Sequence, residues 1–290
     1  MATASCSPAA IRDNETAPMI DAILLFREAL YGALVIGVTC AVLGVYVVLR
    51  RIVFVGAALA QLSSAGIALS LWIAGLGLFG ATGLHDTAFA LALATLGALF
   101  FALGGGRSRV PPDAIIGVTY ALAAAWGIIL VAKAATGEAH DIFLQGNILG
   151  ITRKDTLVLL AVSLPVLLTH TLLYKEFLFV SFDPETAQTL GLSVRGWTLL
   201  LYLTLGLVIA FAMRFAGVLL VFNYLVLPAV TALFLARSMA RTFTLAILAA
   251  VVATVLGFGL SIPLDLPSGP AIVAMSGLLA LAAAVLKGKR

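Results

Sequence analysis

Charge is what this chain has least of. Asp, Glu, Lys and Arg make up 10% of its 290 residues, against about a quarter in soluble domains. That scarcity, with 62% hydrophobic residues and a mean hydropathy of +1.16, excludes an ordinary soluble domain. Cysteine is nearly absent: Cys6 lies in a polar tail and Cys40 in an apolar run, which leaves no disulfide framework and no thiol metal site. A GxxxxGK[ST] loop is missing, so the chain does not cradle ATP phosphates in that way. HExxH, paired His/Cys clusters and a GxSxG elbow are missing too, so no hydrolytic centre is expected and the chain reads as a non-enzyme. Acidic and basic residues are lacking in the middle of the apolar runs, where a proton-coupled transporter would need them. Energy for any transport must therefore come from another subunit. The apolar runs also lack the alternation of a transmembrane β-barrel.

Long Leu/Ala/Val/Gly runs fill the chain instead, each of the length that crosses hydrocarbon as a helix. Spans are expected near 30–49, 54–75, 87–103, 114–133, 155–173, 197–213, 217–236, 242–262 and 269–286. The fold class is all-α: a polytopic bundle of eight or nine transmembrane helices with one short cytoplasmic helix. Placing Arg50 and Arg51 in the cytoplasm puts 11 of the 17 Lys and Arg residues there, as the positive-inside rule asks, with Arg153 and Lys154 on the other side. The protein is expected in the cell (inner) membrane, with its net charge of +4 facing anionic lipid rather than nucleic acid. Residues 1–18 read as a disordered polar tail or as lying upstream of a start at Met19, and 19–290 as one membrane domain.

Polar groups at membrane depth mark candidate functional positions. In the second run, Ala57, Gln61 and Ser64 share a helix face, and Ala60, Ser64 and Ala68 form a small-residue ladder for close helix approach. Gln61 and Ser64 either bond a neighbouring helix or face a pore. Asn223 and Pro228 lie five residues apart in the seventh run, where proline frees a backbone carbonyl. His85-Asp86 and His140-Asp141 sit at expected external mouths, as entrance contacts for a cation or as solvated loop residues. His170, near a span end, is expected to snorkel to the interface.

Residues 174–197, YKEFLFVSFDPETAQTLGLSVRGW, are the one polar island between apolar runs. Asp183 can N-cap a helix with Pro184 at its first position and Glu185 in its first turn, and Gly191 can end it. Ala187 and Leu190 are expected on one side of that helix.

With these segments in view, the chain resembles the integral-membrane permeases of zinc-, manganese- and iron-type ABC importers. The resemblance runs from Met19 almost to the end. It rests on VVLRRIVFVGAALAQLSSAGIAL, LQGNILGITRKDTL, the D-x-E-x-A-x-x-x-G-x-x-V pattern at 183–194, FAGVLLVFNYLVLPAVTALFLAR and LPSGPAIVAMSGLLAL. It implies a transport subunit for a divalent cation that binds no cofactor itself. Its partners would be ATPase subunits that hold ATP, a second permease copy or paralogue, and an external metal-binding protein. It also implies that Asp183, Glu185, Ala187, Leu190 and Gly191 form a coupling helix seated in the ATPase. Many members of that family carry an Asp and a His where this chain has Ala57 and Gln61, and a methyl and a neutral amide cannot replace them as zinc ligands. A permease for a metal chelate, such as a siderophore or cobalamin, fits that loss as well. An ion-gradient transporter would need inverted repeats and an intramembrane carboxylate, which the chain does not show.

Overall fold

The lipid-crossing expectation sets the architecture. Where water is absent, every backbone N–H and C=O must be satisfied within the segment, and the Ala/Leu-rich runs do this as helices. A computed structural model describes residues 26–76, 83–104, 111–133 and 148–288, which form ten α-helices and no strand. In chain order they are α1 (Arg27–Leu49), α2 (Val53–Gly75), α3 (Gly83–Gly104), α4 (Pro112–Lys133), α5 (Arg153–Leu172), α6 (Tyr174–Phe182), α7 (Pro184–Thr189), α8 (Val194–Leu235), α9 (Met239–Ser261) and α10 (Ser268–Gly288). Eight of these are long and apolar enough to cross a membrane; α6 and α7 are the exceptions.

Helix α8 is two crossings in one element. At 42 residues it would be about 63 Å long if straight, twice the hydrocarbon thickness. Gly217 breaks it with φ 68° and ψ 170°. Thr198 in the first half is bonded to Arg50, and Leu225 in the second half has its carbonyl against Gly44. A straight helix would hold those two residues about 40 Å apart, whereas Arg50 and Gly44 lie about 9 Å apart along α1. The halves therefore fold back on one another, which agrees with the separate spans expected at 197–213 and 217–236.

Glycine permits a close helix crossing. A Cβ on Gly44 would lie 2.0 Å from the Leu225 carbonyl oxygen, so α1 and the second half of α8 touch backbone to backbone. On α2, the ladder residues Ala60, Ser64 and Ala68 are all buried.

At the Arg50 end of the bundle the core turns aromatic. Tyr46 of α1 meets His170 of α5 (ring centroids 5.5 Å apart), Phe177 of α6 (5.6 Å) and Phe243 of α9 (5.1 Å). His170 stacks on Phe177 at 4.4 Å, and Trp197 of α8 meets Phe177 edge-on at 5.0 Å. His170 does not snorkel, as its position near a span end had suggested. It is buried, its Nδ1 donates to the Val166 carbonyl (3.0 Å), and its Nε2 lies 3.5 Å from Thr204 Oγ1. The ring has both an aromatic face and local polar partners, so burial satisfies it. Towards the opposite end, α2, α3 and α4 bound an open apolar cleft of about 670 Å³ lined in part by Trp72, Trp126 and Lys133.

Candidate functional site

The polar island is helical through most of its length. α6 buries Phe177 and Val180, and the chain then turns at Asp183 into the six-residue α7. A helix this short is not stable by its own hydrogen bonds, so its ends decide whether it forms. Asp183 caps the start: Oδ1 accepts from the Thr186 backbone N–H (3.0 Å), and Oδ2 from the Thr186 hydroxyl (2.6 Å). The Thr186 hydroxyl first, and its N–H second, hold the exposed Asp183 carboxyl below the usual carboxylate range. Pro184 occupies the first helical position, where its missing N–H is not needed. Gly191 closes the other end in the left-handed region (φ 85°). Its N–H donates to the Gln188 carbonyl (3.1 Å) and the Leu192 N–H to the Ala187 carbonyl (3.0 Å), the paired bonds of a Schellman motif.

The faces of α7 differ from expectation in one respect. Ala187 and Leu190 were expected on one side. Ala187 is fully buried and Leu190, the C-cap, is 69% exposed, so of the two only the Ala187 methyl seats the helix on the rest of the chain. Glu185, Gln188 and Thr189 are exposed with Leu190 and form the outward surface of α7.

One residue that sequence reasoning used only for orientation belongs to the same region. Arg50 caps the C-terminus of α1, and its guanidinium donates from Nε to Ser181 Oγ of α6 (2.9 Å) and from Nη1 to Thr198 Oγ1 of α8 (2.9 Å). Ser181 lies two residues before Asp183 and Thr198 seven residues after Gly191, so the two bonds flank α7. Burial pushes the Arg50 pKa down, and Nη2 is buried without a partner. The only sequence signal was a basic doublet at a span end.

The remaining candidates lie inside the bundle. Ala57, Gln61 and Ser64 on α2, and Asn223 and Pro228 in the second half of α8, are all buried. The Asn223 amide donates to Ser276 Oγ of α10 (3.1 Å), a partner the sequence reading did not name. Asn223 Oδ1, Gln61 Oε1 and Ser63 Oγ are buried with no hydrogen-bond partner, which is unusual for native interiors. His85 and Asp86 open the first turn of α3, at the end opposite Arg50, where the carboxylate suits the helix N-terminus. His140 and Asp141 lie outside the described residues. Among the described residues no group of three or more His, Cys, Asp or Glu side chains is placed to hold a metal ion. At the candidate positions on α2 and the second half of α8, the unpartnered buried groups are the neutral oxygens of Gln61 and Asn223.

Comparison with known proteins covers nearly the whole chain. Residues 22–287 match the family model described as "ABC 3 transport family". The manganese import system permease protein ScaB of Streptococcus gordonii is 33% identical over 257 residues, covering 88% of each chain. The chelated iron transport system membrane protein YfeD of Yersinia pestis is 32% identical over 263 residues, covering 89% of this chain and 84% of that protein. Among solved structures, PsaBC from Streptococcus pneumoniae in complex with Fab superposes with a TM-score of 0.80 at 28% identity, covering 92% of this chain and 95% of the other. An inward-facing, putative metal-chelate type ABC transporter matches at 0.63 with 15% identity, covering 89% and 85%, a likeness of fold alone.

Proposed function

We propose that this chain, which belongs to the ABC 3 transport family, is the permease subunit of an ATP-driven importer that carries a divalent cation, manganese first, across the cell membrane. It is a multi-pass, non-catalytic transport subunit. ATP would be hydrolysed on separate subunits docked against the exposed side of α7, with a second permease chain completing the pathway and an external binding protein delivering the metal. The observation that carries the coupling reading is α7 itself. A six-residue helix capped at both ends, seated by one buried methyl and otherwise exposed, is built to be held out in a fixed shape towards a partner.

Manganese is favoured over zinc by the donor chemistry. The unpartnered buried oxygens of Gln61 and Asn223 are hard, neutral ligands, and hard oxygen donors suit Mn²⁺, whereas zinc sites draw on imidazole and thiolate. The manganese and iron systems named among the relatives agree with that preference.

The test is co-purification of the tagged chain from its native membrane, followed by ATPase and uptake assays of the complex with Mn²⁺, Fe²⁺ and Zn²⁺. Recovery of a nucleotide-binding subunit, lost when 183–191 is replaced, together with manganese-dependent turnover, is the expected result. A chain that purifies alone and takes up cation on an ion gradient would refute the reading. Turnover driven only by a chelate would keep the permease and refute the cation.

A further inference from the structure

A half-buried guanidinium with one nitrogen, Nη2, fully enclosed is an expensive choice at the end of a membrane helix. Taking the charge out of water costs several kcal/mol as an order of magnitude unless it is fully paired, and apolar side chains of similar volume often serve stability better. Arg50 is not fully paired. Two of its nitrogens bond neutral hydroxyls, and among the described residues no carboxylate is a hydrogen-bond partner and Nη2 has no acceptor. Stability alone does not account for such a residue, but its geometry does something a Leu or Met could not. One rigid fork ties three elements at once: the end of α1, the last turn of α6 and the start of the second turn of α8.

The base of this fork is fixed. Arg51 lies in the left-handed region (φ 59°), its N–H donates to the Val48 carbonyl (3.1 Å), and the Ile52 N–H donates to the Val47 carbonyl (3.0 Å), which is again a Schellman motif. The Arg50 backbone is thus locked to α1, and only its side chain reaches across. At the other end of the same helix segment, Gly44 meets the Leu225 backbone, two residues from Asn223. Ser181 and Thr198, Arg50, α1 and the Gly44–Leu225 backbone contact thus form one continuous chain of contacts from the flanks of α7 to the segment of α8 that carries the unpartnered Asn223 oxygen.

We infer that Arg50 is the positioning residue that links movement of the docking helix α7 to the interior of the permease. This rests on the reading of α7 as the ATPase contact. The neutral partners matter to the role: hydroxyls hold the fork in register yet release it more readily than a carboxylate would. A joint that must change state in each transport cycle needs bonds of that kind.

The test uses the full complex with its ATPase subunits, reconstituted in vesicles, with metal uptake and ATP hydrolysis measured on the same preparation. Three changes are compared: Arg50→Met, Arg50→Lys, and the double variant Ser181→Ala with Thr198→Val. The double variant leaves Arg50 in place, so it decides the question should Arg50→Met fail to fold. Arg50→Met and the double variant are expected to retain the ATPase subunits and to hydrolyse ATP while metal carried per ATP falls about tenfold. Arg50→Lys, able to reach one hydroxyl but not both, is expected to fall about threefold. Uptake and hydrolysis falling in parallel, with their ratio unchanged, would mean Arg50 is only structural and would overturn the inference. An unchanged ratio at normal rates would overturn it equally. If changes within 183–191 uncouple the complex while the Arg50 and hydroxyl variants do not, the coupling helix stands and Arg50 alone is refuted. If the wild-type chain recovers no ATPase subunit, both readings fall.

Discussion

Replacing Gly191 by alanine isolates one physical term. The residue sits at φ 85°, a region that L side chains rarely adopt, yet a Cβ built there has no atom within 4 Å to strike. The substitution therefore adds no clash and removes no contact; it acts only on backbone preference, at about 1–2 kcal/mol. Both closing bonds of α7, from Gly191 N–H and Leu192 N–H, need that φ. The ratio of closed to frayed α7 should then fall by about 5- to 30-fold. Asparagine tolerates the left-handed region better, so the order of helix closure should be Gly, then Asn, then Ala. Gly259→Ala is the matched control. It also meets no atom within 4 Å, but it lies in α9 with helical φ, where alanine is favoured by up to about 1 kcal/mol. The same added carbon should loosen one site and leave the other as firm or firmer. Amide exchange over 183–192 reads the local effect, and metal carried per ATP reads its consequence. Wild-type exchange and coupling in Gly191→Ala would refute the argument, as would an equal loss in Gly259→Ala.

Other expectations follow from the same structure. Gly44→Ala should lower the thermal unfolding midpoint of the solubilised protein by the equivalent of about 1–3 kcal/mol, because the new methyl meets the Leu225 backbone, which cannot rotate away; an unshifted midpoint would contradict the close crossing. Thr186 holds the Asp183 carboxyl below its ordinary range, so the cap's contribution is complete above that range and is lost only as pH falls through the lowered value. Coupling should accordingly be flat in this respect between about pH 5 and 8, kept by Asp183→Asn and weakened by Asp183→Ala, with a steep loss near neutral pH in the wild type counting against the cap. Gln61→His should shift preference towards zinc in competitive uptake if the Gln61 oxygen meets the cation, and identical uptake of Mn²⁺, Fe²⁺ and Zn²⁺ would make it a packing residue.

The spans were legible because hydrocarbon leaves one solution for a long apolar run, and the helices sit within a few residues of where composition put them. Even the division of α8 was visible, since the Arg214–Gly217 interruption separates two runs too long together for one crossing. The caps of α7 were legible for a local reason: Asp, Pro and Gly each act on backbone within four residues. What sequence alone left hidden was anything needing a partner distant in the chain. Ser276 meets Asn223 from 53 residues away, and Arg50 meets Ser181 and Thr198 from 131 and 148 residues away. Ala187 and His170 were misplaced for the same reason, since periodicity and span position say nothing of the neighbour that covers a side chain. Sequence alone could not show that both side chains are covered by the rest of this chain.

The aromatic cluster beside α6 and α7 also makes the protein optically addressable. Of three tryptophans, Trp72 and Trp126 line the apolar cleft, while Trp197 alone stands edge-on to Phe177 in the helix that leads into α7. With Trp72→Phe and Trp126→Phe, the remaining indole emission would come from the elbow that leads into α7, where the proposed ATPase contact lies. Nucleotide-driven motion could then be followed in unlabelled protein, in real time, from the one end of the bundle where it should begin.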